Sequence, residues 1–305
     1  MLFSVIIPVY KCEKSINELS ERLVKALNSI TQDFEIIFVN DQSPLNDWEI
    51  INKTAGVDSR IKGINLSRNF GQHYAIRAGI DYATGKWIVI MDGDLQDQPE
   101  EIARFYEKAL EGYEIVLGKR MERKDNFFKR NTSKLFFSLY NYLTGIKNDR
   151  SVGNFAIYSG KVIDSYRTIK ERDQALILFI DWLGFKKSYI EIKHSERLHG
   201  KSSYSFNKLI TLAISNIASQ SNKPLIISIK FGFIMSILSF LYGIILIVNR
   251  LVFNMQLGWT SIMVSIFFTA GLILANMGII GLYLGKTFDE AKNRPLYFVS
   301  ETIGF

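Results

Sequence analysis

The sequence predicts an α/β protein: a mostly parallel sheet covered by helices, then an interface helix and two transmembrane helices. Three observations predict it. Short apolar runs alternate with amphipathic stretches through the first half, and that alternation builds parallel sheets with helices on both faces. Beyond Lys230 charge almost disappears, as a chain within lipid requires. Between these regions, residues 205–222 carry apolar side chains at helical spacing.

The elements follow in order. Phe3–Val9 reads as a buried strand and Ser15–Ser29 as an amphipathic helix; Phe34–Asn40 and Ile61–Leu66 are further strand runs. Gln72–Ala83 is helical, and Trp87–Met91 is a fourth strand. Ligands of such sheets bind beyond the carboxyl ends of the strands, which marks Asp41 and Asp92 by position alone. In SFNKLITLAISNIASQSN, the residues Phe206, Leu209, Ile210, Ala213, Ile214 and Ile217 make one apolar helix face. Such a face suits a core helix or a membrane-interface helix, and the spans that follow favour the interface. Phe231–Asn249 and Leu251–Gly285 contain no charged residue, and a spanning helix needs about 20 apolar residues. A turn near Asn254–Gly258 separates the spans, with Trp259 at an interface and Gly271, Gly278, Gly281 and Gly285 permitting close helix contact. The expected division is a catalytic domain over 1–204, an interface helix over 205–224, two spans over 225–286 and a tail over 287–305.

The 48% hydrophobic and 13% aromatic content excludes a disordered chain. A net charge of +7 suits an anionic partner. No zinc-ligand or ribonucleoprotein-type motif accompanies the basic residues, so nucleic acid is not expected. The single cysteine, Cys12, precludes an internal disulfide and fits a reducing compartment. The opening MLFSVIIPVY is too short and lacks the basic lead of a signal peptide. Lys201, Lys208, Lys223 and Lys230 precede the spans, Lys286, Lys292 and Arg294 follow them, and Arg250 alone lies between. Positive residues stay on the cytoplasmic side, so the expected location is the cytoplasmic membrane, with the catalytic region and the tail in the cytoplasm. Self-association through the spans is compatible with this arrangement.

The strongest local signal is VIMDGDLQDQPEE. Asp92 and Asp94, one residue apart at a strand tip, suit one hard cation, and Gln96 adds an amide oxygen. Magnesium or manganese commonly takes one or two carboxylates plus substrate phosphates, and such a metal neutralises a leaving diphosphate. Alone the pattern is weak, because acidic turns are common. An EF-hand is excluded by the missing later ligands and closing glutamate. His73, His194 and His199 are not spaced as a metal cluster.

The ordered series SVIIPVYKCEKS, FEIIFVNDQSP, INLSRNFGQHYAIRAGIDYATG and MDGDLQDQPEEI resembles the GT-A glycosyltransferases of family 2. Specifically, it resembles their polyprenyl-phosphate branch, which is dolichol-phosphate mannose synthase-like and includes a bacterial lipid-linked glucosyltransferase subgroup. GYEIVLGKRMER, ERDQALILFIDWLGF, RLHGKSSYSFNKLITLAISNI and GLYLGKTFDEAKNRPLYFV extend the likeness over nearly the whole chain. The resemblance implies a GT-A nucleotide-sugar-binding domain. It also implies inverting transfer from a nucleotide-sugar, with UDP favoured over GDP, to undecaprenyl or dolichyl phosphate, assisted by magnesium or manganese. Pro8, Tyr10 and Glu13 match the first nucleotide-binding segment, and Asp41 the residue holding base or ribose. Asp92, Asp94 and Gln96 match the metal and diphosphate site. Arg120 and Arg123 lie where relatives place basic residues near the acceptor phosphate. Arg197, Lys201 and Ser203 match a segment closing over the diphosphates. Arg68, Asn69 and Gly71 match as well, with Arg68 either holding phosphate or bracing its loop.

Two departures bear on mechanism. The first motif usually reads PVYNEE and here has Lys11 and Cys12. Asn154 stands where close relatives often carry an aspartate proposed as base, leaving Asp149 or Asp173 as substitutes. A phosphate monoester has a second pKa of about 6 and is mostly dianionic near neutrality, so it needs positioning more than deprotonation. A sugar hydroxyl needs a base. The alternatives are another membrane glycolipid acceptor and a non-catalytic nucleotide-sugar-binding scaffold. A processive synthase is disfavoured by the missing QxxRW-like segment and the few spans.

Overall fold

A computed structural model describes residues 1–120, 138–145, 151–172, 175–192, 214, 217–219, 221–253 and 258–305. The chain divides into two compact units. The first comprises 1–126, 148–203 and 294–305, and the second 127–147 and 204–293.

The first unit is built on strands β1 (Phe3–Val9), β2 (Phe34–Asn40), β3 (Ile61–Leu66), β4 (Trp87–Ile90), β5 (Ile115–Arg120), β6 (Val152–Ser159), β7 (Lys187–Ile192) and β8 (Val299–Ile303). They form one sheet in the order β7-β5-β6-β4-β1-β2-β3-β8. β1 pairs in parallel with β2 and β4, and β2 with β3, while β6 and β8 run against their neighbours. Every residue of β1 and β2 is buried, which explains their unbroken apolar runs: a strand covered on both faces has no polar side to show.

Alternation along β1 assigns the faces. Phe3, Val5, Ile7 and Val9 join one core cluster, and Ile6 joins the other. The first cluster is capped by α1 (Ile16–Asn28), α2 (Asp47–Val57) and α4 (Ile102–Leu110). In α1 the buried Ile16, Leu19, Leu23 and Leu27 recur at helical spacing, with Glu18 in the first turn and Lys25 in the last to complement the helix dipole. Each such side chain contributes roughly 2 kcal/mol of transfer free energy. The second cluster is capped by α3 (Gln72–Tyr82), α5 (Gly160–Arg167) and α6 (Leu176–Leu183). Helix α3 lies so close to β1 that a Cβ on Gly79 would fall 2.3 Å from Ile6 Cγ2. Only glycine permits that approach.

Strand β8 was not foreseen. The expected tail instead contributes the sheet's outermost strand, antiparallel to β3 with Ile64 opposite Thr302 and Asn65 opposite Glu301. Its half-buried Val299 packs on the second cluster, the Ser300 hydroxyl donates to the Asn65 carbonyl at 3.0 Å, and Trp48 Nε1 donates to Glu301 Oε2 at 2.9 Å.

In the second unit, α7 (Lys223–Phe253) and α8 (Trp259–Ala291) are two long apolar helices that fall where spans are expected. Lys223–Asn249 and Ile262–Ala291 have mean hydropathies of 2.5 and 2.1, and none of either stretch is buried within the protein. At 1.5 Å per residue each exceeds a hydrocarbon core of about 30 Å. Phe233, Phe240, Phe267 and Leu274 point outward, and lipid is the solvent that suits such surfaces. The two helices suggest membrane association. Polar groups join this pair: the Ser228 hydroxyl of α7 donates to Asn276 Oδ1 of α8, and the Tyr283 hydroxyl of α8 donates to the carbonyl of Ser221, just before α7, at 2.7 Å. The expectation for the glycines is not met within this pair, because Cβ atoms on Gly271, Gly278, Gly281 and Gly285 would meet nothing within 4 Å. Of the expected interface helix over 205–224, residues 205–213, 215, 216 and 220 lie outside the described residues; 214 and 217–219 are helical, and Lys223 already opens α7.

A buried charge staples the amino ends of the strands. Glu35 is fully buried, and it accepts from the Ser4 hydroxyl at 2.5 Å and from Thr84 N and Oγ1, both at 2.9 Å. Lys62 Nζ lies 2.8 Å from its second oxygen. Burial pushes the Glu35 pKa up, but Lys62, Ser4 and Thr84 together outweigh it and leave the net shift downward. A folded-state pKa below the unfolded one stabilises the fold above the ordinary glutamate range and loses that contribution as pH falls through the folded value. Removing this charge while Lys62 remains should cost about 3 kcal/mol. In urea melts Glu35→Gln is therefore expected to be destabilised at neutral pH, and its deficit should shrink on acidification.

Candidate active site

The carboxyl ends of β1, β2 and β4 lie side by side, and each is followed by a residue in left-handed backbone. Lys11 (φ 60°) follows β1, Gln42 (φ 47°) follows β2 and Leu95 (φ 61°) follows β4. For residues bearing a Cβ this costs roughly 1–2 kcal/mol apiece. Three such residues around one edge mark a place where backbone shape is held by its surroundings.

Hydrogen bonds lace these turns together. Lys11 N donates to Ser43 Oγ at 3.1 Å, Ser43 N to Asn40 Oδ1 at 3.2 Å, and Asn40 Nδ2 to Asn65 Oδ1 at 2.8 Å. Cys12 N donates to Asp47 Oδ2 at 3.1 Å. The Ser15 hydroxyl reaches the Gly93 carbonyl at 2.6 Å, joining the loop after β1 to the turn after β4. Gly93 fits beneath that loop, where a Cβ would meet Ile7 Cγ2 and the Pro8 carbonyl at 3.3 Å and Cys12 Sγ at 3.5 Å. Burial, reinforced by the negative charges of Asp47, Asp94 and Asp92 and opposed by a bond to the Tyr10 carbonyl, pushes the Cys12 thiol up to about 11. It stays protonated at neutral pH, which removes it as a nucleophile.

Asp92 and Asp94 are half-buried in the turn beyond β4. Asp92 Oδ1 accepts from Gln72 Nε2 at 2.7 Å and from Asn154 Nδ2 at 3.1 Å. Asp94 Oδ1 accepts from Gln96 N at 3.2 Å, closing the turn on itself. Asn154 reaches Asp92 through register: β4 and β6 pair Ile88 with Tyr158 and Ile90 with Ala156, and two residues further the same ladder sets Asn154 across from Asp92. Beside it lies a cleft lined by His73, Ile76, Tyr158, Leu176 and Ile177. A carboxylate at position 154 would repel Asp92, whereas the amide donates to it.

Asp41 is 3% exposed. Its Oδ1 accepts from Phe70 N at 2.7 Å, its Oδ2 from Gly71 N at 2.9 Å, and its carbonyl from Asn69 Nδ2 at 3.1 Å. Burial raises its pKa, against the lowering effect of those amides and of Arg68. Both oxygens are thus engaged by the loop 68–71 that opens α3. Arg68 braces the same loop, with its guanidinium 4.1 Å from the Phe70 ring centroid and Nη1 donating to the Asn69 carbonyl at 3.4 Å.

Of the other residues singled out from sequence, Pro8 is buried opposite Val39, Tyr10 is exposed just past β1, and Glu13 is half-buried in the same loop. Arg120 closes β5 opposite Ile192. Arg123, Asp149, Asp173, Arg197, Lys201 and Ser203 lie outside the described residues. Gln72 was missed as a site residue. Its signal was its place at the first turn of a helix directly behind the LSRNFG loop.

Among the described residues no group of three His, Cys, Asp or Glu side chains could hold a metal unaided. Two aspartates on one turn nevertheless fit a hard divalent cation whose remaining ligands are phosphate and water oxygens. The grip on the loop is testable separately. Asp41→Asn presents an amide NH₂ to one backbone N–H and should cost about 1–3 kcal/mol, read as a lowered thermal midpoint with faster amide exchange at Phe70 and Gly71.

Comparison with known proteins agrees with this arrangement. The family model described as glycosyl transferase family 2 matches residues 4–167. The uncharacterized glycosyltransferase YkcC of Bacillus subtilis is 38% identical, covering 99% of this chain and 94% of that protein. The undecaprenyl-phosphate 4-deoxy-4-formamido-L-arabinose transferase of Proteus mirabilis is 33% identical, covering 99% and 94%. A bactoprenol glucosyl transferase of Shigella flexneri, derived from prophage SfII, is 34% identical, covering 99% and 98%. Among solved structures, glucosyl-3-phosphoglycerate synthase of Mycobacterium tuberculosis, in complex with Mn2+, UDP and phosphoglyceric acid, has a TM-score of 0.51 at 14% identity, covering 72% of this chain and 76% of that one. That likeness establishes the GT-A fold alone. With the family model spanning more than half of the sequence and relatives matching it end to end, the chain belongs to glycosyl transferase family 2 and is a glycosyltransferase.

Proposed function

We propose that this glycosyltransferase moves a sugar from a nucleotide-sugar, UDP-linked in preference to GDP-linked, to a polyprenyl phosphate at the cytoplasmic face of the membrane. The observation that carries the reading is the Asp92–Asp94 turn, held by Gln72 and Asn154 at the sheet's carboxyl edge, in a chain that also carries two long apolar helices. Relatives named for undecaprenyl phosphate and bactoprenol match over 98–99% of the chain, both helices included, which supports a lipid phosphate as acceptor.

Asp92 and Asp94 would hold magnesium or manganese with the donor diphosphate. When bound, the ion supplies neutralisation of charge on the leaving group. Gln72 and Asn154 fix the Asp92 carboxylate, and the loop 68–71 sets Gln72. Asn154 acts as a donor to Asp92 and does not accept a proton. A base is dispensable here, because a phosphate monoester with a second pKa of about 6 is already a nucleophile at neutral pH. Its oxygen forms the new bond to the anomeric carbon while the bond to the diphosphate breaks. The electron pair leaves with the nucleoside diphosphate, and the configuration inverts. Arg120, Arg123, Arg197, Lys201 and Ser203 enter this reading through family resemblance, as phosphate-binding groups. Sidedness is supported by the basic flanks of the spans and by β8: a strand that follows both spans yet shares a sheet with β1–β4 needs an even number of crossings.

Nucleotide release from detergent-purified protein, with a panel of UDP- and GDP-sugars, tests the reading. Release is expected to require both undecaprenyl phosphate and a divalent metal, and Asp94→Ala should abolish it while the protein stays folded. Metal-dependent release indifferent to lipid phosphate would shift the acceptor to another glycolipid or to water, and full activity of Asp94→Ala would sink the metal assignment. Asn154→Ala should lower turnover or metal affinity about 10- to 100-fold. Asn154→Asp should also lose activity at neutral pH, whereas a gain would restore position 154 as a base.

A further inference from the structure

The described carboxyl-edge residues are joined by one unbroken chain of contacts that begins at β8. Ser67 N donates to the Phe298 carbonyl at 2.9 Å, fastening the residue just beyond β3 to the residue just before β8. The Phe298 ring centroid lies 6.4 Å from that of Phe70, at 44°, and Arg68 stacks on Phe70 from within the loop. Phe70 N and Gly71 N then grip Asp41, and the next residue, Gln72, donates to Asp92. The flank is secured by the Tyr297 hydroxyl, which donates to Asp81 Oδ2 of α3 at 2.8 Å, while Asp81 pairs with Arg77 on the same helix.

We propose that Phe298, just before β8, is a positioning residue for sugar transfer: it holds the Arg68–Gly71 loop where Asp41 and Gln72 set the Asp92 carboxylate. The proposal rests on the reading of Asp92 as part of the donor site. Phe298 is 56% exposed, so its ring contributes little to the core, and its aromatic partner is the loop itself. Phe305, at the other end of the strand, provides a matched comparison. It is 51% exposed, packs on Tyr82 at 5.0 Å and lies beneath Lys62 Nζ at 4.9 Å, outside the chain of contacts that reaches Asp92.

The test uses full-length protein in detergent. An aromatic pair of this kind accounts for about a three- to tenfold change in a local equilibrium. Phe298→Ala should therefore speed amide exchange at Phe70 and Gly71 and raise the donor KM by about that factor, with the thermal midpoint close to that of Phe305→Ala. Phe298→Tyr keeps a ring and should restore both readouts, and Phe305→Ala should move neither. Equal effects of Phe298→Ala and Phe305→Ala, or unchanged exchange at Phe70 and Gly71 in Phe298→Ala, overturn the proposal. Wild-type protein that turns over no nucleotide-sugar overturns the functional reading instead, and the exchange rates then still decide whether Phe298 holds the loop.

Discussion

A carboxylate buried among backbone amides must have its lone pairs met or the fold bears the desolvation penalty, and Asp41 meets that constraint by binding two consecutive N–H groups from a segment 29 and 30 residues away. The end of β2 and the start of α3 thereby become one rigid piece. Gln72 reaches Asp92 from directly beside Gly71, which Asp41 grips from beneath. The same logic runs through the neighbouring turns, where Ser43, Asp47 and Ser15 each hand a polar group to another strand's loop and Asn40 donates to Asn65 of β3. The left-handed backbone at Lys11, Gln42 and Leu95 is tolerated because these bonds surround it.

Charge is arranged with comparable economy. Among the described residues, two neutral amides, those of Gln72 and Asn154, donate to Asp92. The replacement of a carboxylate by Asn154 then reads as a change of partner. An amide orients Asp92 through a donated hydrogen bond, and in the proposed reaction the charge of the phosphate acceptor supplies nucleophilicity. At the opposite end of the sheet, Glu35 and Lys62 form a closed ion pair with no route to the site. The two carboxylate environments are kept apart by the length of the strands.

How legible this was in the sequence depends on how local each signal is. Strands β1 to β4 were read with nearly their observed limits because burial on both faces leaves continuous apolar runs. The spans were readable for the same reason in another solvent. The DGD turn announced itself by composition and position. Gln72 and Asn154 did not disclose their roles, because each depends on register or on a cap: Asn154 meets Asp92 only through the β4–β6 pairing, and Gln72 only through the Asp41 bonds. Asp41 was picked out by its place at a strand end, but the loop that engages its oxygens lies too far along the chain for spacing to show. Strand β8 was hidden because only Tyr297, Val299 and Ile303 turn inward, a faint alternation placed directly after a charged stretch that reads as tail.

That strand has a consequence for the order in which the molecule can be completed. During synthesis β1 to β7 precede both spans, whereas β8 follows them. If both long helices cross the membrane as proposed, the outer edge of β3 stands bare until the second has crossed back, and an unpaired strand edge invites pairing with other chains. A nascent chain whose second helix stayed uninserted would strand β8 across the bilayer and leave that edge open to chaperones and proteases, as incompletely folded intermediates are. On the proposed two-span topology, closing the sheet is a built-in record of correct membrane insertion: the last strand docks only in a molecule whose topology is right.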